Sequence, residues 1–232
     1  MVITTWNLRQ GGLSNMNKIV QVLTENRDSD IFVLTEFRNN TKKEFLINSL
    51  KKIGFDFFYF STTKTKTNSV LIATKENYEI EYFEELDNHK ERVLKIKTPN
   101  FLLYGCYFPQ QELKKIIFEF LLNQIHRNPN EKIIITGDLN TGRHYIDEKG
   151  ASFICAEYLD KLEDIGMIDA FRFLNGNIKE YSWYSNAGNG FRIDHFFVSK
   201  NLKSNLTKCY YKHNCRKNNT SDHSLMSLDI KP

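Results

Sequence analysis

The sequence predicts a single α/β sandwich domain over residues 1–232. Short runs rich in β-branched and aromatic residues alternate with segments of helical periodicity, a mixture typical of sheets covered by helices. The chain shows no internal repeat, low-complexity tract or linker, so one domain is expected. Hydrophobic residues make up 41% of the 232 residues, which is ample for a core.

The chain opens with a predicted β-α-β unit. A strand over residues 2–6 is followed by a glycine pair and by a helix that Ser14 or Asn15 can cap. The helical spacing is carried by Met16, Ile19, Val20 and Leu23. A buried strand over residues 30–34 completes the unit, which usually implies two parallel strands with the helix packed on them.

The later elements follow the same alternation of strands and helices. Further strands are predicted over residues 69–74, 101–107, 132–136, 191–199 and 225–230. Further helices are predicted over residues 113–125 and 153–162. Many short strands among few helices favour a sandwich over an all-helical or all-β domain.

The charge is mildly basic and unevenly distributed. A net charge of +4 does not identify a nucleic-acid binder by itself. Residues 196–220, however, contain no acidic side chain, while six basic ones occur there: Lys200, Lys203, Lys208, Lys212, Arg216 and Lys217. This basic segment is either a solvated hairpin or a phosphate-contacting rim beside a functional site.

The four cysteines are expected to be free thiols in a cytoplasmic protein. They show no CxxC spacing, and a chain of this size does not need a disulfide. Neither a signal peptide nor a membrane-spanning run is recognised, so no membrane contact is expected.

Unusual polar residues occur where the predicted strands end. Asn7, Glu36 and Asp194 each end or interrupt an apolar run, and Asp138 with Asn140 follows another. Because strand ends meet at one edge of a sheet, these side chains are expected to lie together. Asp138 and Asn140 at i and i+2 of an extended segment could hold a water from two directions; the alternative is a simple turn.

A second set of polar residues precedes the last strand. Asp222 can bind a hard divalent cation through oxygen. His223 can donate to a phosphate oxygen or exchange a proton near neutral pH. Asp194 could hold the other ring nitrogen of His223 and so fix its tautomer.

Six short motifs, in order along nearly the whole chain, resemble the endonuclease/exonuclease/phosphatase superfamily, and within it the exonuclease III and abasic-site endonuclease branch. The motifs are Thr5-Trp6-Asn7, Thr35-Glu36, Tyr107-Phe108-Pro109-Gln110, Gly137-Asp138-Leu139-Asn140, Arg192-Ile193-Asp194-His195 and Ser221-Asp222-His223. Thr35 replaces the usual Gln of the second motif. The resemblance implies a four-layer α/β sandwich in which two packed mixed β-sheets are flanked by helices.

The resemblance also implies a role for each matching residue. Glu36 would be the main ligand of Mg²⁺ or Mn²⁺, and Asn7 and Asp222 would complete the metal site. The catalytic set would be Tyr107 on the scissile phosphate, Asp138 and Asn140 on the attacking water, and the pair of Asp194 with His223. Gln110, Trp183 and Arg192 would bind substrate; for Trp183, a core position is the alternative.

A tyrosine at position 107 favours the exonuclease III branch, because other branches generally place a histidine near this position. The expected function is therefore that of a metal-dependent DNA nuclease, with DNA as its partner. The protein is expected to be a monomer. A phosphatase or phosphodiesterase for RNA, lipid or small-molecule phosphates is the alternative, and a non-catalytic binding module is the third. Arg143 and His144, in a loop just after Asn140, either contact substrate or have no role.

Overall fold

The computed structural model describes residues 1–62 and 64–231, apart from the side chain of Leu13. This part of the chain contains fourteen strands and six α-helices. The strands are β1 (Val2–Asn7), β2 (Ile31–Phe37), β3 (Phe57–Phe60), β4 (Ser69–Thr74), β5 (Glu79–Glu81), β6 (Val93–Lys97), β7 (Leu102–Tyr107), β8 (Ile133–Asp138), β9 (Met167–Asp169), β10 (Trp183–Tyr184), β11 (Gly190–Phe191), β12 (Asp194–Ser199), β13 (Leu206–Lys212) and β14 (Leu225–Ile230). The helices are α1 (Met16–Glu25), α2 (Lys43–Lys51), α3 (Lys114–Arg127), α4 (Glu157–Asp164), α5 (Ala170–Asn175) and α6 (Asn214–Lys217). Short 3-10 helices cover Gln10–Asn15, Glu84–Arg92, Gln111–Leu113 and Lys200–Asn205.

The strands form two six-stranded mixed sheets and one small hairpin. The first sheet has the order β13-β14-β1-β2-β4-β3, and the second has the order β5-β6-β7-β8-β12-β9. Each sheet contains one parallel pair, β1 with β2 and β7 with β8, whose strands are joined through α1 and α3 respectively. The predicted β-α-β opening is therefore confirmed, and the second sheet is built around a unit of the same kind.

Three apolar clusters show that the two sheets pack face to face between two layers of helices. The central cluster joins Ile3, Val33 and Ile72 of the first sheet to Leu103 and Phe196 of the second. A second cluster lies under α1 and α2, and a third lies under α3 and α4. Full burial of one such aliphatic or aromatic side chain contributes about 1.5–3 kcal/mol. The predicted four-layer α/β sandwich is confirmed.

Two predicted elements differ from those observed. The helix predicted over residues 153–162 begins only at Glu157, because Cys155 has a left-handed φ of 63°, which a right-handed helix cannot contain. The strand predicted over residues 191–199 is interrupted: Phe191 pairs with Trp183 in the hairpin, whereas β12 starts at Asp194.

The predicted cap of the first helix is also wrong. Neither Ser14 nor Asn15 caps α1 through its side chain. The Asn15 side chain instead donates to the carbonyl oxygens of Asn219 and Thr220, at 2.8 and 3.2 Å. It therefore ties the start of α1 to the segment that precedes β14.

All four cysteines are buried and free, in agreement with the prediction of thiols. Among residues 1–62 and 64–231, no helix combines the length and the apolar character that crossing a membrane requires.

Arg192 is buried in an ion network, so the prediction that it binds substrate is wrong. Its side chain is fully buried, its Nε donates to Asp147 Oδ1 at 2.6 Å, and it also pairs with the Asp169 carboxylate. Arg172 adds a second cation to Asp147. Two buried carboxylates need a compensating positive charge. Arg192 supplies this charge inside the fold, so its guanidinium group cannot reach a ligand.

We expect Arg192→Met to lower the free energy of unfolding by about 3–5 kcal/mol, since it leaves Asp147 and Asp169 short of a positive partner. Arg143→Met is the matched control, because Arg143 pairs with the more exposed Asp160 and Glu163. This substitution should lower the free energy of unfolding by about 1 kcal/mol at most. Urea unfolding measures both. Equal losses in the two variants would contradict the assignment of Arg192 to the interior.

Acid should weaken the same network. Burial alone would raise the pKa of Asp169, but the Arg192 guanidinium outweighs it and holds that pKa well below its usual range. A depressed folded-state pKa adds stability above the unfolded value of about 3.9, and that stability is lost as the pH falls below it. Unfolding between about pH 5 and pH 2 should therefore show declining stability, with a shallower decline in Asp169→Asn. The exposed Asp164→Asn serves as control and should follow the wild type.

Candidate catalytic site

The register of the second sheet brings three predicted catalytic residues side by side. Tyr107 ends β7, Asp138 ends β8, and Asp194 begins β12. Asp138 is the direct partner of Tyr107 across the parallel pair and of Asp194 across the antiparallel pair. One edge of this sheet therefore presents a phenol and two carboxylates in a row.

Gly137 makes this arrangement possible. Its φ is 133°, a conformation that L side chains rarely adopt, and a Cβ placed there would lie 1.9 Å from the carbonyl oxygen of Cys106. The glycine therefore lets β8 lie against β7 at the point where Asp138 must be presented.

His223 lies between the two aspartates. Its Nδ1 donates to Asp194 Oδ2 at 2.8 Å, so its Nε2 faces Asp138, whose Oδ2 is 3.9 Å away. Burial lowers the pKa of His223, but the carboxylates of Asp194 and Asp138 outweigh burial and raise it above its ordinary value. Burial also raises the pKa of Asp138, while the neighbouring His223 opposes that shift. The pair that the sequence predicts between Asp194 and His223 is present.

Glu36 comes from the first sheet, at a distortion of β2. The pairing of β2 with β4 shifts register between Leu34 and Phe37, and Glu36 itself has a φ of 50°. Such a bulge turns a side chain away from the strand's normal alternation. The Glu36 carboxylate accepts hydrogen bonds from Asn7 Nδ2 at 3.2 Å and from Tyr107 Oη at 3.2 Å, so both sheets contribute to one site.

Asn7 connects the carboxylates of Glu36 and Asp138 through its side chain. Its Oδ1 accepts from the backbone N–H of Arg9 at 2.8 Å, and its Nδ2 donates to Asp138 Oδ2 at 2.9 Å as well as to Glu36. The fully buried Asn7 is therefore held through both ends of its amide group. Asn7 orients the two carboxylates, and its part in the metal site stays a prediction.

Tyr107 is held from three sides. Its hydroxyl donates to Glu36 and accepts from Asn68 Nδ2 at 3.4 Å, and the Arg92 guanidinium lies 5.2 Å from the centre of its ring. Burial, reinforced by the charges of Glu36 and Asp138, raises the pKa of Tyr107. Its phenol therefore keeps its proton and remains a hydrogen-bond donor.

Asn140 lies in a turn and not on the extended segment predicted from its spacing. Its φ is 51°, and its N–H donates to Asp138 Oδ1 at 2.9 Å, which closes an Asx-type turn. Its side chain donates to the carbonyl of Phe108 and accepts from Gln110 Nε2 at 2.6 Å. Lys114 Nζ donates to its backbone carbonyl. The turn still places Asn140 beside Asp138.

A cavity of about 270 Å³ lies over this cluster. Its polar lining consists of Glu36, Gln110, Asp138, Asn140, Asp222 and His223. Its apolar lining consists of Phe153, Trp183, Phe191 and Ile193. The predicted residues therefore line one cavity, except Asn7, Tyr107 and Asp194, which border it through hydrogen bonds or strand pairing, and Arg192, which is buried away from it.

Trp183 occupies the aromatic wall and is only partly buried. Its Nε1 donates to Asp222 Oδ2 at 3.3 Å, and its backbone forms an isolated bridge with His223. The hairpin of β10 and β11 is thus attached to Asp222 and His223, and the indole does not belong to the main core.

Phe153 is a lining residue that the sequence does not reveal. The loop over residues 141–154 presents it, and side chains of the same loop fix its backbone: Glu148 accepts from the Phe153 N–H at 3.0 Å, and His144 Nε2 bonds its carbonyl at 2.9 Å. His144 supports this loop and Arg143 pairs with Asp160, and neither is among the lining residues of the cavity.

The donor set of the cavity fits a hard divalent cation. Among its described lining residues, Glu36, Asp138 and Asp222 are acidic, and His223 is the only side chain that can carry positive charge. One buried carboxylate oxygen, Asp194 Oδ1, has no hydrogen-bond partner within the described chain. Mg²⁺ and Mn²⁺ prefer such oxygen ligands. The ligand atoms of Asp138, Asp194 and His223 lie within 4.8 Å of one another and offer a second position beside Glu36 and Asp222.

The chain belongs to the Endonuclease/Exonuclease/phosphatase family, whose model matches residues 4–223. No curated protein sequence matches it significantly.

Solved structures share the fold over their full length. An AP endonuclease from Archaeoglobus fulgidus has a TM-score of 0.82 and 20% identity, and the 3′-5′ exonuclease NExo from Neisseria meningitidis has a TM-score of 0.83 and 22% identity. A variant of the Neisseria 3′ phosphatase NExo, bound to a product DNA hairpin, has a TM-score of 0.83 and 21% identity. In each case 100% of both chains is covered.

We expect Mn²⁺ to stabilise the folded protein, because a ligand that binds only the folded state adds about 2.7 kcal/mol at a concentration a hundred times its dissociation constant. Glu36→Gln should lose most of this gain. Glu79→Gln, which changes an exposed carboxylate on the distant strand β5, should keep it. Urea unfolding with and without Mn²⁺ measures the difference, and a full gain in Glu36→Gln would show that the cation binds elsewhere.

Proposed function

We propose that this protein is a Mg²⁺- or Mn²⁺-dependent DNA nuclease that hydrolyses phosphodiester bonds, as an exonuclease III-like enzyme or an abasic-site endonuclease. One observation carries the proposal: the cluster of Asp138, His223 and Asp194 converges with Glu36 beside a cavity that has an aromatic wall. The names of two structural neighbours, an AP endonuclease and a 3′-5′ exonuclease, support the same chemistry on DNA.

Asp138 is the group placed to activate water. It lies at the cavity floor, where Asn7 and the Asn140 N–H fix its two oxygens. A water bound between Asp138 and Asn140 would lose its proton to the aspartate as it attacks phosphorus. Because the orientation is fixed before reaction, little rearrangement is needed in the transition state.

His223 and Tyr107 are the groups placed to stabilise charge on the phosphate. Nδ1 of His223 is engaged with Asp194, so Nε2 is the nitrogen that can donate to a non-bridging oxygen. The Tyr107 hydroxyl lies at the end of β7 in the second sheet, beside Glu36. A divalent cation on Glu36 and Asp222 would supply further neutralisation of the phosphate and of the leaving oxygen.

The aromatic wall is suited to the part of the substrate next to the phosphate. Trp183, Phe191 and Phe153 present ring surfaces to the cavity. Aromatic side chains bind bases and sugars of single-stranded or unpaired nucleotides by stacking. A nucleotide turned out of the duplex, or at its 3′ end, could therefore place its phosphate over Asp138.

A 3′ phosphatase acting on DNA is a second candidate. The Neisseria 3′ phosphatase NExo, which shares the fold, is bound to a product DNA hairpin. Attack on a phosphate monoester would use the same water, the same histidine and the same cation.

The experiment that tests the proposal compares four labelled DNA duplexes: intact, with one abasic site, with a 3′ phosphate, and with a recessed 3′ end. Purified protein is assayed with Mg²⁺, with Mn²⁺ and with EDTA. Metal-dependent cleavage supports a nuclease, and the preferred duplex distinguishes endonuclease, exonuclease and phosphatase. No reaction with any duplex by folded, metal-loaded protein would exclude the DNA proposal and direct the search to RNA, lipid or small-molecule phosphates.

We expect Asp138→Asn and His223→Ala each to lower turnover by about 10²-fold or more, the loss typical of a positioned base or a charge stabiliser. Asp164→Asn and His126→Ala are matched controls, because both residues are exposed on outer helices. Steady-state rates on the preferred duplex measure the effect. Near-normal turnover in either site variant would contradict its assigned role.

A further inference from the structure

A second cavity of the described chain lies outside the catalytic site. It is a groove of about 560 Å³ between α1 on one side and the end of β13 with α6 on the other. We call it the α1–β13 groove; it is defined by Lys18 and Glu25 of α1, by Lys212 and Lys217, and by Thr220 and Leu225.

The groove carries an excess of positive charge. Lys18 comes from α1, and Lys212 and Lys217 come from the basic segment that the sequence singles out. Glu25 is the one acidic residue of its described lining, and it already accepts a hydrogen bond from Gln21 at 3.0 Å. The groove is therefore suited to an anionic ligand.

The lysines are available to such a ligand. Within residues 1–62 and 64–231, the ammonium groups of Lys18 and Lys217 have neither an ion pair nor a hydrogen bond, and both side chains are exposed. Lys212 Nζ donates to Asn26 Oδ1 at 2.6 Å and is fixed at the groove wall. Single exposed lysines are ordinary, whereas these three bring their positive charges to one concave surface.

The groove and the catalytic cavity lie on two sides of one short segment. Thr220 lines the groove, Asp222 and His223 line the cavity, and only Ser221 lies between them. Asn15 holds the carbonyl of Thr220, and Ser221 Oγ donates to the carbonyl of Asn7 at 2.7 Å, so this segment is fixed at both ends. The linings of the groove and of the cavity are thus only two residues apart along the chain, at Thr220 and Asp222.

We propose that the α1–β13 groove binds the phosphodiester backbone of the DNA that flanks the bond in the catalytic cavity. This inference rests on the proposed function and adds a contact surface outside the reacting centre. Repeated phosphates complement several lysines that no protein carboxylate neutralises. Such contacts position the duplex without reading its sequence.

The basic segment supplies its own control. Lys200 and Lys203 belong to the same acid-free stretch, but they precede Leu206, which pairs with Ile230 at the end of the first sheet opposite Asn7 and Leu225. Lys18→Gln with Lys217→Gln therefore tests the groove, and Lys200→Gln with Lys203→Gln makes the same charge change far from it.

The experiment measures affinity for a labelled DNA duplex by fluorescence anisotropy over a series of salt concentrations, together with steady-state cleavage of the same duplex. The groove variant should reduce the slope of log affinity against log salt by about two, since each phosphate-contacting lysine contributes about one. Its KM should rise with kcat unchanged, because the groove does not contact the reacting phosphate. The control variant should match the wild type.

The other outcomes distinguish an error in the groove proposal from an error in the proposed function. A wild-type salt slope in the groove variant would contradict the proposal that the groove binds DNA. An equal loss of slope in the control variant would contradict it as well. Salt-dependent binding by a wild type that cleaves no duplex would overturn the proposed function and leave the groove standing. A wild type that does not bind DNA would overturn both.

Discussion

Two carboxylates that face each other across neighbouring strands determine much of this structure. Asp138 and Asp194 are direct partners of β8 and β12, and both are almost fully buried. Like charges in this position repel, and burial increases the cost. The arrangement is tolerated because His223 lies between them and because Asn7 donates to Asp138. A divalent cation would reduce the remaining excess of negative charge.

The two-sheet architecture is what brings the compensating groups to this point. Glu36 and Asn7 belong to the first sheet, and Tyr107 and Asp138 belong to the second. Each comes from a parallel pair within a β-α-β unit, so the carboxyl ends of both pairs meet at the same edge of the sandwich. The positive φ of Glu36 and its bulge show that the backbone departs from regular geometry where the site requires it.

The sequence predicts those features that local patterns determine. The strands over residues 69–74 and 225–230 are predicted to the residue, because β-rich apolar runs bounded by polar residues mark them. The strand-end polar residues also predict the site, since strand ends meet. Helix α2 escapes notice because its buried positions span little more than one turn.

Other features depend on contacts between distant segments, and no local pattern carries them. Arg192 stands beside Asp194 in a motif, yet only the folded chain brings Asp147 and Asp169 to its guanidinium. Phe153 falls within an apparent helical stretch, but the left-handed Cys155 and the hydrogen bonds of Glu148 convert that stretch into a loop over the cavity. Both cases concern polar groups whose burial must be compensated, which is a property of the whole fold.

The carboxylates and the aromatic wall of the site come from different parts of the fold. Asp138, Asp194 and Glu36 lie at the ends of sheet strands, whose positions the shared core fixes. Phe153 and Trp183 come from a loop and a two-stranded hairpin that lie outside both sheets. Loops tolerate change better than the strands they connect. Replacement of Phe153 or Trp183 would therefore change the shape of the cavity while leaving the carboxylates at the strand ends in place.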